Sequence, residues 1–419
     1  MKEKLVGACI FGQSGGPTSV INSSAAGVFT EALKQDCITA VYGAAHGVRG
    51  ILNEEFYDIS LEDAKELDLL KYTPSSALGS VRYKLKDVKV DETDYKRLLE
   101  VFKKYNIRYF FYNGGNDSMD TCNKISKYMK KVGYECRVIG VPKTIDNDLF
   151  GTDHCPGYGS AAKYVATTCM EIFLDANVYD TPIITVIEIM GRNAGWLTAA
   201  SSLATAKGMG PDLIYLPEVP FSFEKFYDDV QKVLDKNKGK CIIAVSEGIK
   251  TAEGKYVMEL LASAGAKDSF GHTQLGGLAA GLSAACANKF SCKTRGIEFS
   301  LMQRCGAHIA SKVDVMEAFK AGQAAVKFAV RGVTDKMVII VRTTDSKGNY
   351  KSVMKSLNLS KSANEEKKIP QDWIGEDKVS LKKEFIDYAL PLIQGDIKAP
   401  LEDGLPRFAK LKKVLVKKG

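Results

Sequence analysis

Alternation between strand-like and helix-like segments is the feature of this 419-residue sequence that most constrains its fold. Short apolar runs, typical of buried strands, alternate with segments whose apolar residues recur at helical spacing. This order favours parallel sheets covered by helices on both faces. The predicted strands span 5–11, 39–45, 108–113, 137–142, 183–190, 212–216, 241–246, 294–300 and 336–342. The predicted helices span 19–33, 94–105, 119–131, 160–178, 193–206, 223–236, 272–289 and 314–331.

The C-terminal part of the sequence departs from this alternation. Residues 343–380 are polar and rich in lysine, so they are predicted to form a loop or an insertion, with short helices following to the end. The basic run between Lys410 and Lys418 is interpreted as a solvated helix face or tail. The net charge of +8 suits either nucleic acid or small anionic substrates. No zinc-finger spacing or RNA-binding aromatic motif is present, so no nucleic-acid partner is predicted.

Several protein classes are disfavoured by composition. No apolar run is long enough to cross a bilayer, so no membrane association is predicted. The short apolar run at the N-terminus enters a glycine turn of the fold and is not interpreted as a signal peptide. The ten cysteines form no C-x-x-C pair and the four histidines no H-x-x-x-H pair, which disfavours thiolate and zinc sites. Cysteines without a secretory signal indicate reduced thiols and a cytoplasmic protein.

The segment from Val141 to Asp148, Val-Pro-Lys-Thr-Ile-Asp-Asn-Asp, follows a predicted strand directly. Open α/β sheets bind their ligands at such strand ends. The segment combines one cation, one hydroxyl and two carboxylates. Lysine neutralises phosphate, a hydroxyl orients it, and a carboxylate accepts the proton of an attacking alcohol. This combination indicates phosphoryl transfer.

Two glycine turns follow other predicted strands. Gly114-Gly115-Asn116-Asp117-Ser118 follows strand 108–113, and Gly12-Gln13-Ser14-Gly15-Gly16-Pro17 follows the first strand. Glycines at a strand-to-helix turn let backbone N–H groups approach an oxyanion closely. Each turn alone is weak evidence, since an ordinary connection between a strand and a helix also uses glycine. Together with the lysine–carboxylate segment they predict a phosphate site.

With these motifs the sequence resembles the phosphofructokinase family, and within it the pyrophosphate-dependent branch. ATP-using members carry Gly-Gly-Asp-Gly-Ser and Gly-Thr-Ile-Asp-Asn-Asp. The pyrophosphate branch has Asp in place of the third glycine of the first motif and Lys before Thr-Ile-Asp-Asn-Asp. Asp117 and Lys143 stand at these two places. Further similarity runs from about residue 5 to residue 342, through Leu-Gly-Ser-Val-Arg at 78–82, Glu-Ile-Met-Gly-Arg at 188–192, Ser-Glu-Gly at 246–248 and Gln-Arg at 303–304.

The resemblance implies two similar three-layer α/β lobes of Rossmann type, with mainly parallel sheets and an active site in the cleft between them. The predicted donor-binding lobe comprises residues 1–155 and about 305–345. The sugar-phosphate lobe comprises 156–304, and residues 346–419 form an insertion and a C-terminal extension. The first crossing between lobes is expected near 151–159 and the return near Arg304.

The resemblance also implies roles in the donor site. Asp146 is expected to be the catalytic base for the 1-hydroxyl of fructose 6-phosphate, and Thr144 to donate to a phosphate or to the sugar. Lys143 is expected to bind pyrophosphate and stabilise the charge on the transferred phosphorus. Asp117 would occupy the space of the ATP α-phosphate and repel it. Pyrophosphate-binding residues are Gly15, Gly16, Arg82, Asp117 and Lys143.

A second set of residues is implied for the sugar phosphate. The guanidinium of Arg192 matches phosphate geometry, and Glu247 accepts hydrogen bonds from sugar hydroxyls. Two further arginines would bind the 6-phosphate, one of them reaching across from a neighbouring subunit. The set comprises Thr144, Asp146, Met190, Gly191, Arg192, Glu247, Arg295 and Arg304. Ile183 and Leu301 stand where ATP-using members have an arginine and a histidine, so the contacts to the sugar phosphate must differ in detail.

The resemblance implies Mg²⁺ as cofactor, because pyrophosphate binds as its magnesium complex. Asn116 stands where the commoner family pattern has an aspartate ligand, and it offers a carbonyl oxygen without charge. Asp117, Asp146 or Asp148 could compensate, because Mg²⁺ binds through one or two carboxylates plus substrate phosphates.

The predicted function is reversible transfer of a phosphoryl group from pyrophosphate to fructose 6-phosphate, in glycolysis or gluconeogenesis, by a homodimer or homotetramer. Two alternatives within the family are an ATP-dependent 6-phosphofructokinase and a non-catalytic, regulatory sugar-phosphate-binding subunit. Asp117 and Lys143 disfavour the first, and retention of Asp146, Lys143 and Arg192 disfavours the second. A nicotinamide-dependent dehydrogenase is also disfavoured, because this sequence lacks the G-x-G-x-x-G spacing after its first predicted strand.

Overall fold

In a computed structural model of the chain, residues 4–261, 277–362 and 365–418 are described. They divide into two compact units. Unit 1 comprises residues 1–157, 310–366 and 395–419, and unit 2 comprises 158–309 and 367–394. None of the described helices is long and apolar enough to span a membrane. The assignment of a donor lobe and a sugar-phosphate lobe to particular residues stays a prediction.

The helices and strands occur in an alternating order along the chain. The strands are β1 Gly7–Gln13, β2 Ile38–Ala44, β3 Phe56–Asp58, β4 Ile107–Gly114, β5 Arg137–Pro142, β6 Ile183–Ile189, β7 Leu213–Tyr215, β8 Lys240–Ser246, β9 Lys293–Glu298, β10 Lys336–Thr344, β11 Tyr350–Asn358, β12 Leu401–Glu402 and β13 Leu405–Pro406. The α-helices are α1 Ile21–Ala32, α2 Gly47–Leu52, α3 Ala64–Leu69, α4 Thr93–Lys104, α5 Asn116–Lys131, α6 Tyr158–Ala176, α7 Trp196–Ala200, α8 Ser202–Thr205, α9 Phe223–Lys236, α10 Val257–Leu261, α11 Leu278–Lys289, α12 Met302–Cys305, α13 Lys312–Val330, α14 Leu359–Ser362 and α15 Lys383–Ala389. Short 3₁₀ turns lie at Ile59–Leu61, Leu70–Tyr72, Ala307–Ile309, Gln371–Trp373 and Leu390–Ile393.

Unit 1 is built on a seven-stranded sheet in the order β11-β10-β5-β4-β1-β2-β3. The pairs among β10, β5, β4, β1 and β2 are parallel, and the two edge strands β11 and β3 are antiparallel. The core divides into two clusters because side chains alternate along β4. Phe110 and Tyr112 pack with residues of α4 and α5, whereas Tyr109 and Phe111 pack with residues of α1 and α13. Helices therefore cover both faces of this sheet.

Unit 2 has a smaller sheet in the order β7-β8-β6-β9, all parallel. One core cluster joins Ile184 and Val186 of β6 to Phe226 of α9 and Leu282 of α11. Helices α6 and α7 contact β6 and β8. The prediction of two α/β units with mainly parallel sheets is therefore confirmed.

Two details of secondary structure differ from the sequence-based prediction. The single helix predicted over 193–206 is two short helices, α7 and α8, and Ser201 between them donates its hydroxyl to the carbonyl of Thr198 at 2.6 Å. This local bond competes with regular helix hydrogen bonding. The helix predicted over 272–289 begins at Leu278 in the structure, and residues 272–276 lie outside the described residues.

The prediction of a loop over 343–380 is wrong for residues 350–358. They form β11, which pairs along its whole length with β10. Because β11 is an edge strand with half-buried and exposed side chains, its sequence lacks the apolar run of a central strand. After α15 and the 3₁₀ turn at Leu390–Ile393, the described residues contain no further helix, so the predicted short helices do not continue to the end. Instead, residues 407–416 run as an extended tail along β3 and the following turn.

Candidate active site

The ends of β1, β4 and β5 bring the predicted donor-site segments of unit 1 together. These three parallel strands are neighbours, and Gln13 lies opposite Asn113 while Gly114 lies opposite Pro142. The turn after β1, the Gly114-Gly115 turn and Lys143 therefore follow at the same edge of the sheet. This edge, formed by the carboxyl ends of parallel strands, is where such sheets bind ligands.

Lys143 is packed against the glycine turn after β1. Its ammonium Nζ donates to the carbonyl oxygen of Gly16 at 2.6 Å, and the residue is only 4% exposed. Gly15 has a φ of +78°, and a Cβ atom there would lie 3.3 Å from the Lys143 ammonium. A glycine therefore lets the backbone turn in the left-handed region beside the cation. The turn and the lysine together present positive charge at the strand ends.

The segment Leu78–Arg82 is fastened to the same glycine turn. The Ser80 hydroxyl donates to the carbonyl of Gly15 at 2.6 Å, and the Gly15 N–H donates to the carbonyl of Val81 at 3.1 Å. Because Arg82 follows Val81 directly, these two bonds place it near the glycine turn. Arg82 is exposed. Ser80 was not singled out by the sequence, although it lies within the similarity at 78–82.

The first turn of α5 carries Asn116 and Asp117. Asn116 is half-buried and donates its side-chain amide to Asp148 at 3.0 Å, whereas Asp117 is exposed. The two residues thus face different surroundings despite being adjacent. The contact between Asn116 and Asp148 joins the end of β4 to the segment after β5.

The two carboxylates after β5 differ in environment. Burial, together with the negative charge of nearby Asp146, raises the pKa of Asp148 above the ordinary range of a carboxyl. The backbone N–H of Asp146 donates to the Thr144 hydroxyl oxygen at 3.0 Å, and this bond shapes the turn between the two residues. The Thr144 side chain also bonds to the Asp148 carboxylate, and this bond opposes the rise in the pKa of Asp148.

The same region has features that suit a divalent cation. The Oδ1 atom of Asn116 is buried and has no hydrogen-bond partner among the described residues. It belongs to the side chain that contacts Asp148, whose pKa is raised by burial and by the negative charge of Asp146. Across the described ranges, no group of three or more His, Cys, Asp and Glu side chains could hold a metal. A site with one or two carboxylates and an amide oxygen nevertheless suits Mg²⁺, which takes its other ligands from water and phosphate.

In unit 2, three predicted sugar-phosphate residues follow β6 directly. The backbone N–H of Met190 donates to Gln303 Oε1 at 3.1 Å, and the Ser246 hydroxyl donates to the carbonyl of Gly191. Gly191 has a φ of +143°, and a Cβ atom there would lie 2.7 Å from the carbonyl oxygen of Ala194. This position therefore requires glycine, and the tight turn presents Arg192 beyond the strand end.

Glu247 follows β8 and lies beside the Met190–Arg192 turn. Its backbone N–H donates to the carbonyl of Ile189 at 2.9 Å, and its carboxylate is 3.5 Å from the N–H of Gly191. Burial raises the pKa of Glu247, while the bond to Gly191 and the charge of Arg192 oppose that rise. The Nε atom of Arg192 is buried without a hydrogen-bond partner in the described part of the chain. The structure therefore brings Met190, Gly191, Arg192 and Glu247 together.

Arg295 and Arg304 are placed differently within unit 2. Arg304 lies in α12 next to Gln303, the residue that binds the backbone of Met190. Arg295 lies in β9 opposite Thr185, and its guanidinium contacts Asp175 at 2.8 Å. Four strand residues separate Thr185 from the end of β6, which is about 13 Å along the strand. Unit 2 thus does not bring Arg295 to the Met190–Arg192 turn, and its role stays a prediction.

Gln303 is a site residue that the sequence analysis did not assign. It is 2% exposed, accepts from Met190 and donates to the carbonyl of Ser300 at 3.0 Å. The sequence signal that could have identified Gln303 is its place beside Arg304 in the Gln-Arg pair shared with the family. Its amide fixes the turn that carries Arg192.

Comparison with known proteins agrees with the fold and with this arrangement. The chain belongs to the phosphofructokinase family, whose sequence profile matches residues 9–329. It is 42% identical over 407 residues to the pyrophosphate–fructose 6-phosphate 1-phosphotransferase of Halomonas elongata, with 96% of each chain covered. It is 43% identical over 421 residues to the protein of the same name from Xanthomonas campestris pv. campestris, with 98% of each chain covered.

A solved structure gives the same result. The crystal structure of pyrophosphate-dependent phosphofructokinase from Nitrosospira multiformis matches with a TM-score of 0.89 and 39% identity, and 98% of each chain is covered. The predicted family and its pyrophosphate-dependent branch are thereby confirmed. The two family-internal alternatives, an ATP-dependent enzyme and a non-catalytic subunit, receive no support from these relatives.

Proposed function

We propose that this chain is a reversible phosphotransferase that moves a phosphoryl group from inorganic pyrophosphate to the 1-hydroxyl of D-fructose 6-phosphate. The product is fructose 1,6-bisphosphate. One observation carries the proposal: buried Lys143 and exposed Asp117 stand at the two positions that distinguish the pyrophosphate branch, at one edge of the sheet of unit 1. The names of the two full-length relatives support the same reaction.

The donor site in this proposal consists of the glycine turn after β1, Arg82, Asp117 and Lys143. Lys143 offers a fixed ammonium beside Gly15 and Gly16. The lysine side chain therefore need not reorganise to neutralise the charge on the transferred phosphate. Asp117 carries its charge at the first turn of α5. A carboxylate at this place repels the extra phosphate and fills the space that a nucleotide would need.

Asp146 is the proposed base for the attacking hydroxyl. Phosphoryl transfer has a loose transition state with little early proton removal, so an ordinary carboxylate is basic enough. Asp146 and Asp148 are both half-buried, and Asp148 accepts a hydrogen bond from the side-chain amide of Asn116 at 3.0 Å. Thr144 would orient the phosphate or the sugar with its hydroxyl group.

Mg²⁺ is the proposed cofactor, with Asn116 and Asp148 as the residues that would hold it and pyrophosphate oxygens as further ligands. The unpartnered Oδ1 atom of Asn116 supports this assignment. When bound, the ion would neutralise charge that develops on the phosphate oxygens. Asn116 and Asp148 would also fix the position of the segment after β5 relative to α5.

The sugar-phosphate site is proposed at the Met190–Arg192 turn of unit 2, with Glu247 as acceptor for sugar hydroxyls. The unpartnered Nε of Arg192 supports its assignment to the phosphate. Arg304 is proposed as a further phosphate contact. Arg295 is proposed to act in a homodimer or homotetramer, where one copy contributes to the site of another.

The free thiols of all ten cysteines support a cytoplasmic location as part of this proposal.

A donor screen tests the proposal directly. Purified chain, fructose 6-phosphate and Mg²⁺ are held constant while pyrophosphate, ATP and other nucleoside triphosphates are supplied in turn. Turnover with pyrophosphate alone is the expected result. Turnover with ATP in preference to pyrophosphate, or no turnover with any donor, would contradict the proposal.

A further inference from the structure

A buried histidine in unit 1 is held between two carboxylates. His154 is 1% exposed, its Nδ1 atom lies 2.7 Å from Asp153 Oδ1, and its Nε2 atom lies 2.6 Å from Glu317 Oε2. Carboxylates accept hydrogen bonds, so both ring nitrogens must carry a proton to satisfy these contacts. The ring is therefore an imidazolium ion inside the protein.

Other charged and titratable groups complete this cluster. The guanidinium of Arg342 in β10 contacts the Asp153 carboxylate at 3.1 and 3.2 Å. The hydroxyl of Tyr350 in β11 donates to Glu317 Oε1 at 2.7 Å, and its ring lies 5.0 Å from Arg342. Two cations, His154 and Arg342, thus face two anions, Asp153 and Glu317. These groups come from the segment after β5, from α13 and from the β10–β11 pair. Such a buried network is stable only while each charge keeps its partners.

The residues next to His154 hold the proposed catalytic segment in place. The N–H of Cys155 donates to Asn147 Oδ1 at 2.9 Å, and the N–H of Thr144 donates to the carbonyl of Pro156 at 3.2 Å. Asn147 has a φ of +56°, a left-handed conformation that needs support from its surroundings. It lies between Asp146 and Asp148. Residues 155–156 therefore fix the turn that carries both carboxylates.

The segment 152–157 is in turn anchored on both sides. The N–H of Asp153 donates to the carbonyl of Ile340 in β10 at 2.9 Å, and the N–H of Gly157 donates to Asp314 of α13 at 2.9 Å. His154 sits between these two anchors, and its ring links the carboxylate of Asp153 to that of Glu317 in α13. A shift of His154 would move Cys155 and Pro156, and with them the turn at Asn147.

We propose that His154 is a positioning residue for the phosphoryl transfer, and that its imidazolium ion, held by Asp153 and Glu317, keeps Asp146 in its reactive position. The inference rests on the proposed function, since it names a residue that supports the proposed base. His154 touches neither substrate nor the reacting atoms in this scheme. It acts through Cys155, Pro156 and Asn147.

The sign of the pH dependence follows from the charges. Burial alone would lower the pKa of His154, but the negative charge of Glu317 and the bonds to Asp153 and Glu317 raise it. Arg342 and Tyr350 stabilise the two carboxylates rather than the neutral ring. The network is thus complete below the ordinary histidine pKa of about 6.5 and is lost as the pH rises through the raised value. The activity that depends on the network falls on the alkaline side.

His154→Gln tests the proposal, with Glu54→Gln as the matched control. Glu54 is a buried charged side chain of unit 1, bound to Arg97 at 2.5 Å, Lys104 at 2.6 Å and the Tyr105 hydroxyl at 2.7 Å, and these three partners lie outside residues 144–157. Both variants remove one charge from a buried network. Comparison at a temperature where both are folded therefore separates positioning from loss of stability.

For His154→Gln we expect kcat to fall by about tenfold to a hundredfold, because small misplacements of a reacting group have effects of this size. The KM values for both substrates should change by less than about threefold, since the substitution replaces none of the side chains proposed to bind substrate. The alkaline limb of the pH–kcat profile should disappear. For Glu54→Gln we expect an unchanged kcat and an unchanged profile. An unchanged kcat in folded His154→Gln, or an equal loss in Glu54→Gln, would overturn the proposal.

Glu317→Gln provides a second test if His154→Gln does not fold. The amide oxygen can still accept from His154, but the negative charge that holds the proton is lost. The alkaline limb is expected to move to lower pH. A limb that stays in place would overturn the proposal, because the proton of His154 would then be unrelated to turnover.

Two measurements without substrate separate this inference from the proposed function. In protein with ¹⁵N-labelled histidine, the His154 ring should show two protonated nitrogens at pH values above about 6.5. The amides of Thr144 and Cys155 should exchange hydrogen faster in His154→Gln than in the Glu54→Gln control. If these results appear but wild type lacks turnover with pyrophosphate, the proposed function fails alone. If wild type is active and the exchange is unchanged, the positioning role fails alone.

Discussion

Lys143 is unusual at the residue scale because lysine is almost never buried without a partner. Its ammonium donates to the carbonyl of Gly16 at 2.6 Å and lies beside Gly15 of the same turn. Asp117, by contrast, is exposed at the first turn of α5. In the proposed function, the fixed cation of Lys143 binds phosphate and the exposed anion of Asp117 repels a longer donor, so charge and space would select pyrophosphate.

Replacing Asp117 and Lys143 together by glycine should let ATP act as donor. We expect the ratio of kcat/KM for ATP to that for pyrophosphate to rise by at least about tenfold, which corresponds to about 1.4 kcal/mol. The reason is that the carboxylate no longer repels the nucleotide and the lysine no longer favours the small donor. Asp120→Gly, in the same helix, is the control and should leave the ratio unchanged. A double variant that still rejects ATP would count against this explanation.

Asp146→Asn should remove the base while keeping the shape of the side chain. General base catalysis contributes about 10²- to 10⁴-fold, so kcat should fall within that range. The KM for fructose 6-phosphate should change little, because Arg192 and Glu247 remain. Steady-state kinetics measure both constants, with Asp120→Asn as control. Retention of more than about half of kcat would show that another group accepts the proton.

Gly191→Ala tests the turn that presents Arg192. Its φ of +143° is strained for alanine, and the added Cβ atom would lie 2.7 Å from the Ala194 carbonyl oxygen. Arg192 would be displaced, so the KM for fructose 6-phosphate should rise by about tenfold or more, equivalent to about 1.4 kcal/mol.

Gly254→Ala is the matched control for that substitution. Gly254 also has a positive φ, +80°, but a Cβ atom there would meet no atom within 4 Å. It should therefore leave the KM unchanged although the backbone is similarly restricted. Equal effects of the two substitutions would show that general strain, and not the position of Arg192, changes the KM.

At the scale of elements, two glutamates, the buried Glu62 and the half-buried Glu66, hold the C-terminal tail. Glu62 accepts from the backbone N–H groups of Lys412 and Lys413, each at 2.7 Å. Glu66 accepts from the N–H of Lys410 at 2.6 Å and contacts Arg407 at 2.5 Å. The lysines of the tail thus help to attach it through their backbone N–H groups as well as through their charge. The basic sequence alone does not predict these backbone bonds.

The attachment of the tail should depend on pH through Glu66. The bond from the Lys410 N–H, together with Arg407, lowers the pKa of Glu66 in the folded protein. Its stabilising effect is therefore complete above the ordinary glutamate pKa of about 4.3 and is lost as the pH falls through the lowered value. Hydrogen exchange of residues 407–416 should increase over this acidic range in wild type.

Glu66→Gln should release the tail already at neutral pH, with a loss of about 1.5–3 kcal/mol, the range for hydrogen bonds to charged groups. In this variant, the hydrogen exchange of residues 407–416 should no longer change over the acidic range. Glu402→Gln is the control, because Glu402 also contacts Arg407, at 3.4 Å, but is 59% exposed. A surface ion pair contributes little. Equal release in both variants would contradict the role of Glu66.

At the scale of the whole molecule, the sequence predicted the central strands and helices because their apolar spacing is regular. All nine predicted strands exist, with bounds that differ by one or two residues in most cases. Edge strands such as β11 escaped prediction because half-exposed strands carry few apolar residues. The short β3 was missed for a related reason, since three residues are too few to show a period.

The candidate site was predictable where neighbouring residues in the chain form one motif. Lys143, Thr144 and Asp146 belong to this class, as do Met190, Gly191 and Arg192. Contacts between distant segments were not predictable, because no local pattern encodes them. Asn116 and Asp148 are 32 positions apart, and His154 and Glu317 are 163 apart. Only the pairing of β4 with β5 and the packing of α13 bring such residues together.

The measurement that tests the central claim most directly is the reverse reaction, followed by ³¹P NMR in one sample. Wild-type chain is mixed with fructose 1,6-bisphosphate, Mg²⁺, and equal concentrations of inorganic phosphate and ADP. The two acceptors then compete for the same phosphoryl group. The selection by Asp117 and Lys143 predicts growth of the pyrophosphate resonance without ATP. Formation of ATP in place of pyrophosphate would contradict it.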